Sequence, residues 1–133
     1  MFLVTLVLTV KKTVYYDPDG EWVRKRGMRF PGSPDEFIED FRGHYEELKK
    51  EGNLSSWAKA QAYLPLSFMM LTASELGVES CAIEGFDEDK LLQKLGLDKN
   101  EDIVSCLLAL GYPDETRERV RRDLDDIVKW RIK

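Results

Sequence analysis

The chain has 133 residues, which is enough for one hydrophobic core without disulfides or a structural metal, and we predict a single domain over residues 1–133. Its 43% hydrophobic and 34% charged residues are ordinary for a soluble globular protein. The formal net charge of −5 makes the average surface repel nucleic acid and anionic membrane, so we predict neither as a partner.

The first third of the chain predicts a strand, a turn, a loop and a helix. Residues 2–10 are almost continuously apolar, which predicts a strand buried on both faces. This run lacks the flanks of a signal peptide and is too short to span a bilayer, which needs about 20 residues. Residues 17–20 predict a turn, and residues 21–34, with their glycines and prolines, predict an irregular loop. Residues 33–36 (Ser-Pro-Asp-Glu) are typical of a helix start, and this helix is expected to end at Gly52.

The middle of the chain predicts a long apolar helix. Residues 53–56 supply polar caps, and apolar side chains then cover every side up to Gly77, which predicts a central, buried helix. Pro65 removes an amide donor and presses against the carbonyl of Gln61, so we expect a kink there. Residues 78–83 predict a short extended segment.

The last part of the chain predicts a capped helix, a strand and a charged tail. Asp87 is expected to cap a helix over residues 88–95 that stops at Gly96, and residues 103–110 predict a second buried strand. Residues 113–133 are strongly charged, with apolar residues at rough helical spacing. Acids alternate with the basic residues of this tail, which favours a solvated helix face over a nucleic-acid surface. The arginines concerned are Arg117, Arg119, Arg121 and Arg122.

Cysteine and histidine usage excludes several kinds of site. Cys81 and Cys106 lie far apart among apolar residues and fit no metal-ligand spacing, so we predict free cysteines in a reducing cytoplasm, with a disulfide as the alternative. His44 is the only histidine and lies on a charged helix, which predicts a surface residue. We therefore predict no metal site and no catalytic side chain, and we expect a cofactor to carry any chemistry.

Four segments, in order along nearly the whole chain, carry a family resemblance. Residues 57–64 read Trp-Ala-Lys-Ala-Gln-Ala-Tyr-Leu, and residues 76–87 end in Ala-Ile-Glu-Gly-Phe-Asp. Residues 103–112 are apolar and end in Gly-Tyr, and residues 129–131 read Lys-Trp-Arg. Together they resemble the FMN-dependent nitroreductase family, in which Ile-Glu-Gly-Phe-Asp is fairly specific. Ala82 stands where the family usually has proline.

The resemblance implies an α+β fold of the nitroreductase type, with a mixed β-sheet packed around a central buried helix. It covers the C-terminal half of such a domain, because the arginine- and serine-rich segment that grips the FMN phosphate in the family does not precede Phe2. It therefore implies a domain that is incomplete without a partner chain. The expected partner is a second copy in a homodimer, or a complementing N-terminal-half chain, since apolar surface is otherwise left open.

The resemblance also implies site residues, beginning with a loop along the flavin. In the family, the positions of Ala82, Ile83, Glu84 and Gly85 follow the isoalloxazine ring, and the backbone amide at the Glu84 position faces flavin N5. A glycine lets backbone approach a flat ring closely because it has no Cβ. The alternative is an ordinary turn between a strand and a helix.

Three further residues are assigned by the same resemblance. Lys129 and Arg131 match residues that hold the FMN phosphate, and in an extended segment their side chains point the same way. In a continuing helix they diverge, and basic residues are common in this tail. Gln61 matches a position near the flavin, with a bond to neighbouring backbone as the alternative.

The function implied is that of an FMN-dependent NAD(P)H oxidoreductase. Hydride from NADH or NADPH would pass through flavin N5 to a nitroaromatic, a quinone or a similar small-molecule acceptor. One alternative is a non-catalytic, truncated nitroreductase-like protein that acts as a dimerisation or ligand-binding module. Another is one half of a split enzyme.

Overall fold

The computed structural model of the chain describes residues 2–113, 118 and 120–131. Arg117 and Arg119 of the charged tail lie outside these residues. Within the described part, no helix is long and apolar enough to cross a membrane. The elements are β1 (Phe2–Lys11), a 3-10 turn (Thr13–Tyr16), α1 (Glu21–Gly27), α2 (Pro34–Lys50), α3 (Leu54–Gln61), α4 (Tyr63–Glu75), β2 (Glu79–Ile83), α5 (Glu88–Leu95), β3 (Asp102–Gly111) and α6 (Leu124–Ile127).

The strands form a three-stranded sheet in the order β1-β3-β2. Both pairings are antiparallel, and Leu108 of β3 lies between Leu6 of β1 and Ala82 of β2. The core is built on this central strand, where Leu108 and Cys106 are fully buried against Leu66 of α4. The α+β class and the buried strand over residues 103–110 are therefore confirmed, while the sheet in the described residues is antiparallel rather than mixed.

The first strand is present but does not have the predicted burial. β1 pairs only with β3 in the described residues, so it is an edge strand, and Val4 is 49% exposed. The expectation that residues 2–10 are buried on both faces is wrong for this chain. The apolar pattern is typical of a strand with neighbours on both sides, and the described residues supply one such neighbour.

Local capping chemistry explains the helices that the sequence predicted well. Ser33 and Glu36 form a reciprocal capping box at the start of α2, in which the Ser33 hydroxyl accepts the Glu36 amide at 3.2 Å. Asp87 accepts the Lys90 amide at 3.1 Å and caps α5, and Gly96 ends it in the left-handed conformation at φ 66°. These helix ends depend on neighbouring residues, which is why sequence reasoning located them.

The expected loop over residues 21–34 is wrong in its first half, which forms α1. Val23 is 3% exposed and anchors this helix. Gly27 is its last residue, and a Cβ added there would lie 3.0 Å from Cδ1 of Phe37 on α2. Gly27 therefore permits close packing of α1 on α2, whereas the sequence pattern predicts an irregular loop at this position.

The long apolar helix is two helices that meet at Ala62. Pro65 is the third residue of α4, so the break falls where its ring presses on the preceding turn, as predicted. Full burial of this helix is not found. Leu66 is buried, while Leu64, Phe68 and Leu71 are 64%, 71% and 65% exposed. The face opposite the sheet is thus left open in the single chain.

Candidate functional site

The candidate site is the loop that connects β2 to α5. Its first part is fixed by the sheet, because Ala82 and Ile83 pair with Leu108 and Leu107 of β3. Its far end is fixed by Asp87, whose pKa is lowered first by the backbone N–H of Lys90 that it caps and then by the Lys90 side chain. Glu84, Gly85 and Phe86 span the interval without regular secondary structure.

Gly85 occupies an open and unstrained position. Its residue surface is exposed, and its φ lies outside the left-handed region that favours glycine. A Cβ built on Gly85 would have no heavy atom of the described residues within 4 Å, apart from its two chain neighbours. Neither backbone conformation nor packing within the described chain requires a glycine here, so the position suits the close approach of a flat ligand.

Glu84 is joined to the helical layer through Tyr63, the first residue of α4. The Tyr63 hydroxyl donates a hydrogen bond to Oε1 of Glu84. This bond is the main cause that raises the pKa of Tyr63 to about 12, with desolvation and the Glu84 charge as further causes. The phenol is therefore protonated at neutral pH and serves as the donor. Sequence reasoning did not assign Tyr63 a role, although it lies two residues after Gln61 in a segment that carries the family resemblance.

Gln61 lies at the end of α3, close in sequence to that tyrosine. Its side chain is half-buried, and Nε2 donates to the carbonyl of Trp57 at 3.2 Å. The predicted alternative, a bond to neighbouring backbone, is thus present. It uses one of the two protons of the amide group, so Gln61 retains a second donor.

The two cysteines lie in neighbouring strands of the sheet, in different environments. Cys106 on β3 is fully buried, and burial is the main cause that raises the pKa of its thiol. A hydrogen bond with Ser105 lowers that pKa and the Glu84 charge raises it, each to a smaller extent. Cys81 on β2 is exposed, and both cysteines are free, as predicted. The raised pKa keeps Cys106 as a neutral, unreactive thiol that fills core space.

Lys129 and Arg131 lie in the tail, beyond α6. Helix α6 ends at Ile127, and Val128 is extended at φ −111° and ψ 126°, so the pair does not continue a helix. Lys129 Nζ donates to the carbonyl of Asp125 at 3.0 Å. Both side chains are exposed and α6 buries no residue, so no buried contact holds this pair against the β2–α5 loop.

Apart from the candidate loop, the described residues form a cleft of about 450 Å³ between α3, α5 and the start of β3. On its wall, Glu88 accepts the Val104 amide at 2.8 Å and lies 3.6 Å from Lys59 Nζ. The Ser105 hydroxyl donates to the Lys59 carbonyl at 2.7 Å. These bonds satisfy polar groups of β3 at the irregularity in the β1–β3 pairing. We therefore interpret the cleft as a structural contact between the helices and the sheet.

The sequence model of the Nitroreductase family matches residues 13–112, which include this loop and most of the described elements. The chain belongs to the nitroreductase family. A Staphylococcus haemolyticus protein that carries an NAD(P)H nitroreductase name is 30% identical over 138 residues, covering 94% of this chain and 62% of that protein.

Solved structures show the same fold. A Staphylococcus epidermidis protein described as an NAD(P)H:FMN oxidoreductase superposes with a TM-score of 0.68 at 19% identity, over 95% of this chain and 60% of that one. An Exiguobacterium sibiricum protein, described as a nitroreductase in complex with FMN, gives a TM-score of 0.59 at 22% identity, over 90% of this chain and 55% of that one. The predicted nitroreductase-like fold is confirmed, and the chain spans less than two thirds of the length of these relatives.

Proposed function

We propose that this chain provides the ring-facing part of an FMN site in an NAD(P)H-dependent oxidoreductase of the nitroreductase type. The observation that carries the proposal is the open space beside Gly85, at the loop that resembles the family's flavin loop. The names of the relatives and the FMN-bound neighbour support it. When bound, FMN would supply the redox chemistry, which is hydride transfer from NADH or NADPH to a nitroaromatic, a quinone or a similar acceptor.

The loop residues have separate tasks in this proposal. Ala82 and Ile83 present backbone held in place by the sheet, and Gly85 lets the chain approach the ring without a Cβ in between. The backbone amide of Glu84 is the donor proposed for flavin N5. Gln61, close in sequence to Tyr63, has a second amide proton that it can donate to the flavin.

Lys129 and Arg131 are proposed to hold the phosphate. The extended backbone after α6 allows both side chains to point the same way. Charge-assisted bonds to phosphate contribute roughly 1.5–3 kcal/mol each to binding. The contribution of an exposed pair is at or below the lower end of this range, because solvent screens the charges.

The open face of α4 supports a partner chain. Leu64, Phe68 and Leu71 recur at helical spacing and are all mostly exposed. An apolar stripe of this kind is typical of an interaction surface. We propose a homodimer through this face. The same observation favours a second candidate function, in which the chain is one half of a split enzyme or a non-catalytic dimerisation module.

Titration of the purified chain with FMN, followed by the loss of flavin fluorescence, tests the proposal. We expect saturable binding and a yellow protein. Replacing both Lys129 and Arg131 by alanine should weaken binding by at least about tenfold, equivalent to about 1.4 kcal/mol. The matched control replaces Arg121 and Arg122, two basic residues of the same exposed tail, and should leave the affinity unchanged.

Each contrary outcome points to a different account. A colourless chain that takes up no FMN would contradict the FMN site and favour the second candidate function, a non-catalytic module. Colour that develops only when the chain is co-expressed with an N-terminal-half chain would favour the split enzyme. Equal affinities for the wild type and the Lys129/Arg131 variant would remove that pair from the site.

A further inference from the structure

The hydrogen bond between Tyr63 and Glu84 joins the candidate loop to the helical layer across 21 residues of sequence. Its donor sits on the first residue of α4, whose backbone is set by the helix, and a tyrosine ring has few rotatable bonds. Its acceptor sits in the part of the loop that has no regular backbone pairing. The bond is thus a direct tie between a rigid element and an irregular one.

The loop has a particular need for such a tie. Gly85 follows Glu84 immediately, and glycine leaves the backbone free to adopt many conformations. No side chain of the described part fills the space around a Cβ at Gly85, so packing does not restrain this residue. Pairing of β2 restrains the loop as far as Ile83, and the Asp87 cap restrains the backbone again at the start of α5. Between them, Phe86 is half-buried, and the Glu84 side chain makes the hydrogen bond that joins the interval to α4.

We propose that Tyr63 is a positioning residue that fixes the backbone of residues 84–86 through its hydrogen bond to Glu84. The anchoring itself is a property of this chain. Its meaning for the reaction rests on the proposed function, because it orients the Glu84 amide and the Gly85 backbone toward the flavin ring.

The same bond has an electrostatic consequence at the site. The phenol draws the Glu84 carboxylate toward α4 and partly offsets its negative charge. Adding electrons to a neighbouring ring is disfavoured by an uncompensated anion. Without the Tyr63 hydroxyl, the carboxylate is free to approach the ring, and the affinity for reduced FMN should fall relative to that for oxidised FMN.

Backbone ¹⁵N relaxation of the flavin-free chain tests the anchor directly. In Tyr63→Phe, which loses only the hydroxyl, the order parameters of the amides of residues 84–86 should fall from about 0.85, typical of rigid backbone, to below about 0.6. Glu84→Ala should show the same effect, and the double variant should add little, because both changes break one interaction. Tyr16→Phe is the control, since its hydroxyl has no hydrogen bond within the described residues. Unchanged order parameters in Tyr63→Phe would overturn the proposal.

A second measurement keeps the proposal testable if Tyr63→Phe folds poorly. Titration of ¹³Cζ-labelled tyrosines by NMR should show that Glu84→Gln lowers the pKa of Tyr63 from about 12 toward its ordinary value. A Tyr63 titration that does not respond to Glu84→Gln would show that the bond does not form in solution, and would also overturn the proposal.

The FMN-bound chain then links the anchor to the reaction. Tyr63→Phe should lower the midpoint potential of bound FMN by about 30 mV, which corresponds to a tenfold change in the affinity ratio for a two-electron couple. Glu84→Gln, which keeps an acceptor and removes the charge, should raise it. Lower order parameters with an unchanged potential and FMN affinity would overturn the flavin-positioning role. Failure of the wild-type chain to bind FMN would instead contradict the proposed function, while the relaxation data would still decide whether Tyr63 anchors the loop.

Discussion

Glu84 and Gly85 are adjacent, but their side-chain environments are opposite. The Glu84 carboxylate is held by the Tyr63 hydroxyl, while Gly85 has empty space where a side chain would be. The pair therefore combines a restrained backbone with an unobstructed surface. That combination is what binding of a flat ring requires, because the approach must be close and the backbone donor must already be oriented.

The Tyr63–Glu84 bond predicts a distinct loss of stability at alkaline pH. The folded-state pKa of Tyr63 is raised to about 12, above the ordinary value of about 10. Between these values the unfolded chain releases the proton and the folded chain keeps it, so this contribution to stability is complete below about pH 10 and is lost as pH rises toward about 12. Urea unfolding across this range should show a steeper decline for the wild type than for Tyr63→Phe. Parallel declines would contradict the expectation.

At the scale of elements, α4 divides its apolar residues between two surfaces. Leu66 and Ala73 are buried against the chain itself, whereas Leu64, Phe68 and Leu71 face outward. A three-stranded sheet can cover only one side of a helix that is apolar all round. The remaining side is exposed in the single chain, and burial of that side in an assembly would remove apolar surface from water.

We predict that Phe68→Glu weakens self-association of the chain. A charge placed in the middle of the apolar stripe would have to be desolvated in the interface, which costs free energy. Sedimentation velocity should show a dimer or larger species for the wild type and a shift of at least about tenfold in the dissociation constant for the variant, about 1.4 kcal/mol. Met28→Glu is the control, because Met28 on α1's C-terminal side is equally exposed at 71%. A monomeric wild type, or equal effects of both changes, would count against the α4 interface.

At the scale of the whole molecule, sequence and structure agree where local chemistry decides the outcome. The capping box of α2, the Asp87 cap of α5 and the break before Pro65 depend on residues within one helical turn, so sequence reasoning found them. Helix α1 was missed because the role of Gly27 depends on Phe37, which belongs to another helix.

The same distinction between local residues and contacts across elements applies to burial and to the candidate site. The apolar patterns of β1 and α4 predicted burial that the described chain does not provide, because a pattern does not say which chain covers an apolar surface. The loop that resembles the family's flavin loop could be located from its own residues in the sequence. Its tie to Tyr63 could not, because that contact exists only once α4 and β2 have packed together.

The most direct test of the central claim, that the 82–85 loop faces FMN, is an FMN titration of Gly85→Ala beside the wild type. The added methyl group would meet no heavy atom within 4 Å in the described residues beyond its two chain neighbours, so the free energy of unfolding should be unchanged or raised by up to about 1 kcal/mol. FMN binding should nevertheless weaken by at least about tenfold, because the methyl group occupies the space reserved for the ring. Gly43→Ala, at a helical glycine with equally open surroundings, should leave the affinity unchanged. Equal FMN affinities for the wild type and Gly85→Ala, or no uptake by the wild type, would contradict the claim.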